Sequence, residues 1–109
     1  LYQALQKGVV DGALYPMEVN KGWRMADQVK FGTLDFSCAS TTSFFIVMNK
    51  KKWNALPADV KKTIQEINKE WIPKHGKAWD SSDAAGKKYL LKKGGKLITL
   101  SKTEQARWK

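Results

Sequence analysis

The sequence predicts a mixed α/β fold, because short apolar runs typical of strands alternate with longer segments of helical periodicity. The most hydrophobic run is residues 44–48, which is rich in strand formers and too short for a helix. The longest helical pattern follows soon after it, at residues 57–93. The predicted order of elements is strand, helix, strand, strand, helix, helix, strand, helix.

The predicted long helix at residues 57–93 carries a single apolar stripe. Four apolar residues recur along it at spacings of four, three and four: Val60, Ile64, Ile67 and Trp71. The stripe is therefore expected to be buried, with lysines and glutamates on the solvated faces. Pro73 lacks a backbone N–H and its ring clashes with the preceding turn, so a kink or a break is expected there. Gly94 and Gly95 are predicted to end the helix.

Two strands are predicted before the run at residues 44–48. Residues 9–15 are small and apolar, as in a buried strand, and Pro16 ends them and suits the start of a helix. Residues 28–38 alternate between apolar and polar residues, with a phase slip near Thr33 that suggests a bulge. Residues 39–43 are small and polar, and they predict a turn or a loop facing a cleft.

The remaining elements have clear end signals. Residues 1–7 predict the last turns of a helix that ends at Gly8, and Asn49 stops the preceding strand before a short helix that carries Trp53. Residues 96–100 predict a strand. Ser101 then precedes Glu104 at the spacing of a capping box, so a last helix is expected.

The charge is strongly positive, with 20 lysines and arginines against 10 acidic residues and a formal net charge of +10. The lysines are spread over helices and loop ends and are often accompanied by Asp or Glu, which favours a solvated surface over nucleic-acid binding. The lysine triplet at residues 50–52 could contact phosphate, yet no nucleic-acid-binding module surrounds it. The alternative that stays open is a free-standing basic α/β domain that binds nucleic acid or an acidic protein.

No chemistry is visible in the residue pattern. Cys38 and His75 are each alone of their type, which excludes an internal disulfide and a cysteine-based metal site. No third group accompanies them as a catalytic signature would require, so the sequence predicts no catalysis by this pair. No phosphate-binding loop, paired carboxylates or metal-ligand cluster occurs either, so no cofactor and no metal are expected. No apolar run approaches the roughly 18 residues of a membrane span.

The predicted fold class indicates where a ligand would bind. Open α/β sheets bind ligands outside the carboxyl ends of their strands. Applied to the predicted strands, this rule points at residues 15–17 and 36–42. The candidate ligand-binding residues within these ranges are Tyr15, Phe36, Ser37 and Cys38.

Two sequence words resemble a known family. GVVDG at residues 8–12, followed by Pro16, and NKKKWNALP at residues 49–57 are similar to the later part of the DctP-type solute-binding proteins of TRAP transporters. The resemblance implies a bilobal, non-enzymatic receptor in the periplasm that captures a small organic acid and delivers it to TRAP membrane permease subunits. It also implies that residues 1–109 are a single C-terminal fragment. This would comprise the end of the second lobe, strands crossing the hinge, a long bracing helix at residues 57–93, and a C-terminal strand and helix.

The resemblance carries further expectations. The family's anion-clamping arginine would lie before Leu1, and a polar group of many relatives is replaced here by Leu14 and Tyr15, which favours a less polar or aromatic acid. The alternative for Tyr15 is packing beneath the helix that begins at Pro16. If strands before Leu1 normally pair with those of this chain, the open sheet edges predict a homodimer or an assembly with exchanged elements.

Overall fold

The computed structural model describes residues 1–34 and 43–108. Its elements in chain order are α1 (Tyr2–Gln6), α2 (Val19–Gly22), a 3-10 helix (Met25–Asp27), β1 (Phe31–Leu34), α3 (Lys50–Asn54), α4 (Ala58–Lys92), β2 (Lys96–Thr99) and α5 (Lys102–Arg107). Helices thus mix with a small parallel sheet, which agrees with the predicted α/β class. The predictions for residues 35–42, including the loop that follows β1, lie outside the described residues.

The chain divides into two compact units, and the buried core belongs to one of them. The first unit comprises residues 1–42 and 80–109, the second residues 43–79, and α4 contributes to both. Among the described residues, the buried side chains are Val19, Asn20, Met25, Ala26 and Leu90. All five lie in the first unit, whereas no residue of the second unit is buried.

In the described part of the first unit, the sheet has two parallel strands, β1 and β2. Its register is regular, with Thr33 opposite Ile98 and Leu34 opposite Thr99. The expected bulge near Thr33 is therefore wrong. The sequence pattern shows a phase slip because apolar Phe31 lies on the outward face, where it is 62% exposed, whereas the inward positions are Gly32 and Leu34.

Two of the predicted strands are absent. Residues 9–15 and 44–48 have no ladder partner among the described residues, and Ile46 is 93% exposed. Apolar composition favours a strand only where a neighbouring strand supplies hydrogen bonds and covers the side chains. In the part of the chain that the structure describes, neither segment has such a neighbour, and both are irregular.

The long helix forms almost as predicted, over Ala58–Lys92. It continues through Pro73 without interruption, so of the kink or break expected there, no break occurs. The proline leaves the carbonyl of Lys69 without its helical partner, and the exposed position of Lys69 lets water satisfy that oxygen.

The expected burial of the α4 stripe is also wrong. Val60 is 38% exposed, Ile67 47% and Trp71 56%. Amphipathic periodicity shows which face of a helix can be buried, but burial needs an element to cover that face. In residues 43–79 the described elements leave the stripe largely uncovered.

The predicted ends of several helices are confirmed. α4 ends at Lys92, and Gly94 follows it with a φ of +80°. The N–H of Gly94 donates a hydrogen bond to the Leu91 carbonyl at 3.0 Å, which closes the end of the helix. Asn49 Oδ1 accepts the N–H of Lys51 at 3.0 Å at the start of α3. Ser101 likewise caps α5 by accepting the N–H of Glu104 at 3.2 Å.

Asp27 joins the 3-10 helix to the C-terminal end of α4. Lys93 Nζ lies 2.8 Å from Asp27 Oδ1, and Arg24 Nε donates to Asp27 Oδ2 at 2.9 Å. The Asp27 side chain is 14% exposed. The lysine hydrogen bond, reinforced by Arg24, holds the pKa of the Asp27 carboxyl below its usual value.

This lowered pKa predicts a specific loss of stability in acid. The ion pairs of Asp27 stabilise the fold fully above the unfolded pKa of about 3.9 and are lost as the pH falls through the lower folded pKa. We expect Asp27→Asn to remove this part of the acid dependence, measured by urea unfolding from about pH 7 to about pH 2. Asp80→Asn, at an exposed carboxylate of α4, is the control and should keep the wild-type dependence. An unchanged acid dependence in Asp27→Asn would contradict the expectation.

Candidate ligand-binding site

Tyr15 lies in an irregular segment just before α2, and its side chain is half-buried. Its hydroxyl donates a hydrogen bond to Asn20 Oδ1 at 3.2 Å. Partial burial raises the pKa of the Tyr15 hydroxyl, so it keeps its proton at neutral pH. Tyr15 is therefore held by its neighbour in α2 and presents a neutral phenol.

Asn20 is buried, with 1% of its surface exposed. Its Nδ2 points at Met17 Sδ at 3.5 Å. A thioether sulfur has no hydrogen to donate, so the amide edge that faces it must be the NH₂ group. The opposite edge, Oδ1, is thereby turned toward Tyr15 as an acceptor.

The segment that carries Tyr15 is anchored on the C-terminal half of α4. Asp83 Oδ1 accepts the backbone N–H of Glu18 at 2.9 Å. Gly86 is buried against the same segment, and a Cβ there would lie 2.0 Å from the carbonyl oxygen of Met17. The close approach of the two backbones thus depends on glycine, and it sets the position of Tyr15 and Asn20.

Tyr15 and the other predicted site residues differ in how they are placed relative to the strands. No strand precedes Tyr15, so the rule about strand ends does not apply to it. Phe36, Ser37 and Cys38 lie in residues 35–42, outside the described residues, and their role stays a prediction. They follow Leu34, at the carboxyl end of β1, which is where the rule places ligand contacts.

The two arginines of the chain are engaged in ion pairs within the first unit. Arg24 pairs with Asp27 at 2.9 Å, and Arg107 Nη1 lies 3.1 Å from Glu104 Oε2. Among the described residues, no group of three or more His, Cys, Asp or Glu side chains could hold a metal ion. The described part of the site therefore offers a phenol and a buried amide.

His75 lies in the second unit and is exposed on α4. Its Nε2 accepts the indole N–H of Trp79 at 2.9 Å. Phe44 stacks on Trp79 with ring centroids 4.2 Å apart and an angle of 8° between the ring planes. These contacts give His75 a structural partner and tie the start of the apolar run to the helix.

Sequence reasoning missed three residues that build the site: Asn20, Asp83 and Gly86. Gly86 carried a usable signal, since an isolated glycine within a helical pattern often has a packing reason. Asn20 and Asp83 carried none, because polar residues in helical segments ordinarily face solvent.

Comparison with known proteins places the chain in the class of solute-binding proteins. The profile of the bacterial extracellular solute-binding proteins, family 7, known as DctP, matches residues 1–109. The chain belongs to this family, which confirms the resemblance seen in the sequence words.

A curated relative supports the same assignment. The chain is 34% identical over 70 residues to the C4-dicarboxylate-binding periplasmic protein DctP of Rhodobacter capsulatus. This alignment covers 64% of the chain and 20% of the relative, so the chain spans about a fifth of the relative's length. No solved structure matches the chain.

The family description agrees with the extracytoplasmic location expected from the sequence. Within residues 1–34 and 43–108, no helix is long and apolar enough to cross a membrane.

Proposed function

We propose that these 109 residues serve in a periplasmic receptor that captures a small organic acid anion for uptake by a TRAP transporter. The observation that carries the proposal is the family match over residues 1–109. The relative that is named for C4-dicarboxylate binding supports an acid as the ligand. The receptor acts by binding and release and needs no catalytic group.

In this proposal the chain supplies part of a bilobal receptor: the end of the second lobe, strands that cross the hinge, and α4 as a helix that braces both lobes. The parallel pairing of β1 with β2 and the 35-residue length of α4 support this assignment. The uncovered stripe on α4 supports it as well, because a bracing helix needs an apolar face to pack against its lobes.

The function is tested by calorimetry on the full-length receptor with a panel of small carboxylates. At least one acid is expected to bind with saturable heat, and TRAP permease subunits should transport the same acid in reconstituted vesicles. A panel without any saturable binding would refute the proposed function.

We further propose that Tyr15 lines the ligand cleft, together with Phe36, Ser37 and Cys38. Tyr15→Ala in the full-length receptor should weaken acid binding by about 1 to 3 kcal/mol, because ring contact and a hydrogen bond are lost. Its hydrogen bond with Asn20 means that the same change also lowers the stability of the unliganded protein, since a buried amide oxygen loses its partner.

The control for Tyr15→Ala is Tyr2→Ala. Tyr2 is also half-buried, and its hydroxyl accepts a hydrogen bond from Gln28 Nε2 at 2.7 Å. Both variants should lose stability in thermal unfolding, whereas Tyr15→Ala alone should lose affinity in calorimetry. Equal affinities in the two variants would assign Tyr15 to the packing of α2.

A further inference from the structure

The proton of the Tyr15 hydroxyl has a defined direction. Asn20 has its Nδ2 turned to the Met17 sulfur at 3.5 Å, so Oδ1 faces Tyr15. An amide oxygen accepts and does not donate, and it lies 3.2 Å from the Tyr15 oxygen. The single phenolic proton is therefore committed to Asn20.

The hydrogen bond to Asn20 determines whether Tyr15 can donate or accept a hydrogen bond when a ligand is bound. Because the hydroxyl proton is engaged in the hydrogen bond to Asn20, the phenol oxygen has only lone pairs left for a further partner. An ionised carboxylate has acceptors and no donor. It could therefore form a hydrogen bond with Tyr15 only if the Tyr15 hydroxyl turned its proton away from Asn20 and donated it to the carboxylate. Since Asn20 is 1% exposed, its oxygen would then be buried without a partner among the described residues, which is costly.

We propose that Tyr15 acts as a hydrogen-bond acceptor toward the ligand, and that the receptor therefore selects organic acids carrying a hydroxyl donor. This inference rests on the proposed function, with Tyr15 in the cleft. Met17 and Asn20 are positioning residues, because they direct the phenolic proton away from the ligand without touching it.

The test compares acids that differ by one hydroxyl group. Calorimetry on the full-length receptor uses two pairs of probes: malate against succinate, and mandelate against phenylacetate, each hydroxy acid as both enantiomers. In at least one pair the hydroxy acid should bind about fivefold to tenfold more tightly, the value of one net hydrogen bond. Tyr15→Phe should bring that ratio close to one, with little change in the affinity of the acid that lacks the hydroxyl.

Two further variants sharpen the result. Asn20→Leu frees the Tyr15 proton for a carboxylate, so it should reduce the preference by raising the affinity of the acid without a hydroxyl. Tyr2→Phe removes a hydroxyl of the same unit and should leave the ratio unchanged. If Asn20→Leu does not fold, the ratio in Tyr15→Phe decides alone.

Three results would overturn the inference: no preference for the hydroxy acid in the wild type, an unchanged ratio in Tyr15→Phe, or equal weakening of both acids of a pair by Tyr15→Phe. Binding of none of these probes would overturn it too. If other acids of the wider panel then bind, the proposed function stands while the inference about Tyr15 falls.

Discussion

Gly86→Ala is expected to destabilise the fold by about 2 to 3 kcal/mol, as overpacking against an immobile neighbour does. The new Cβ would lie 2.0 Å from the Met17 carbonyl oxygen and 2.8 Å from the Glu18 Cα. Both contacts are to backbone, so no side chain can rotate away, and the segment that carries Tyr15 must move off α4. Chemical unfolding of the 109-residue chain and its variant measures the loss.

Gly76→Ala provides the matched control in the same helix. A Cβ at Gly76 would meet nothing within 4 Å, so the change adds helix propensity without a clash. It should stabilise the chain by about 0.5 to 1 kcal/mol. Opposite signs for the two substitutions would establish that close packing determines the effect at Gly86. Equal stabilisation by both would show that α4 and the Met17 segment are not in contact in solution.

Self-association of the 109-residue chain is the second large effect that we expect. The stripe of α4 and residues 44–48 expose apolar side chains, with Trp71 56% and Phe45 79% exposed. Soluble monomers rarely leave apolar patches larger than a few hundred Å² open to water. A homodimer or an assembly with exchanged elements, with an interface above about 1,000 Å², would cover them.

Light scattering coupled to gel filtration, over a wide range of protein concentration, measures this association. Replacing Ile67 and Trp71 together with lysine should shift the chain toward monomer if the α4 stripe forms the interface. Ile46→Lys should also shift the chain toward monomer if residues 44–48 form the interface instead. Trp23→Lys is the control, because Trp23 is 66% exposed in the first unit and lies outside both surfaces. A monodisperse wild-type monomer at high concentration would contradict the expectation.

The sequence by itself determined the features that depend on neighbouring residues. The helix at residues 58–92, the glycine end at Gly94 and the cap at Ser101 follow from propensity and from local hydrogen bonds, and they formed within a residue or two of the predicted positions. The family could also be recognised from the sequence, because its motifs at residues 8–12 and 49–57 are short runs of neighbouring residues.

The tertiary structure alone decided the features that need a distant partner. Within residues 1–34 and 43–108, residues 9–15 and 44–48 have the composition of strands but no strand beside them, and the α4 stripe has the right periodicity but no covering element. The pairing of Tyr15 with Asn20, and the approach of Gly86 to Met17, likewise depend on which segments meet. Local patterns state what a segment can form, whereas ladder hydrogen bonds and burial require a second segment that the local pattern does not specify.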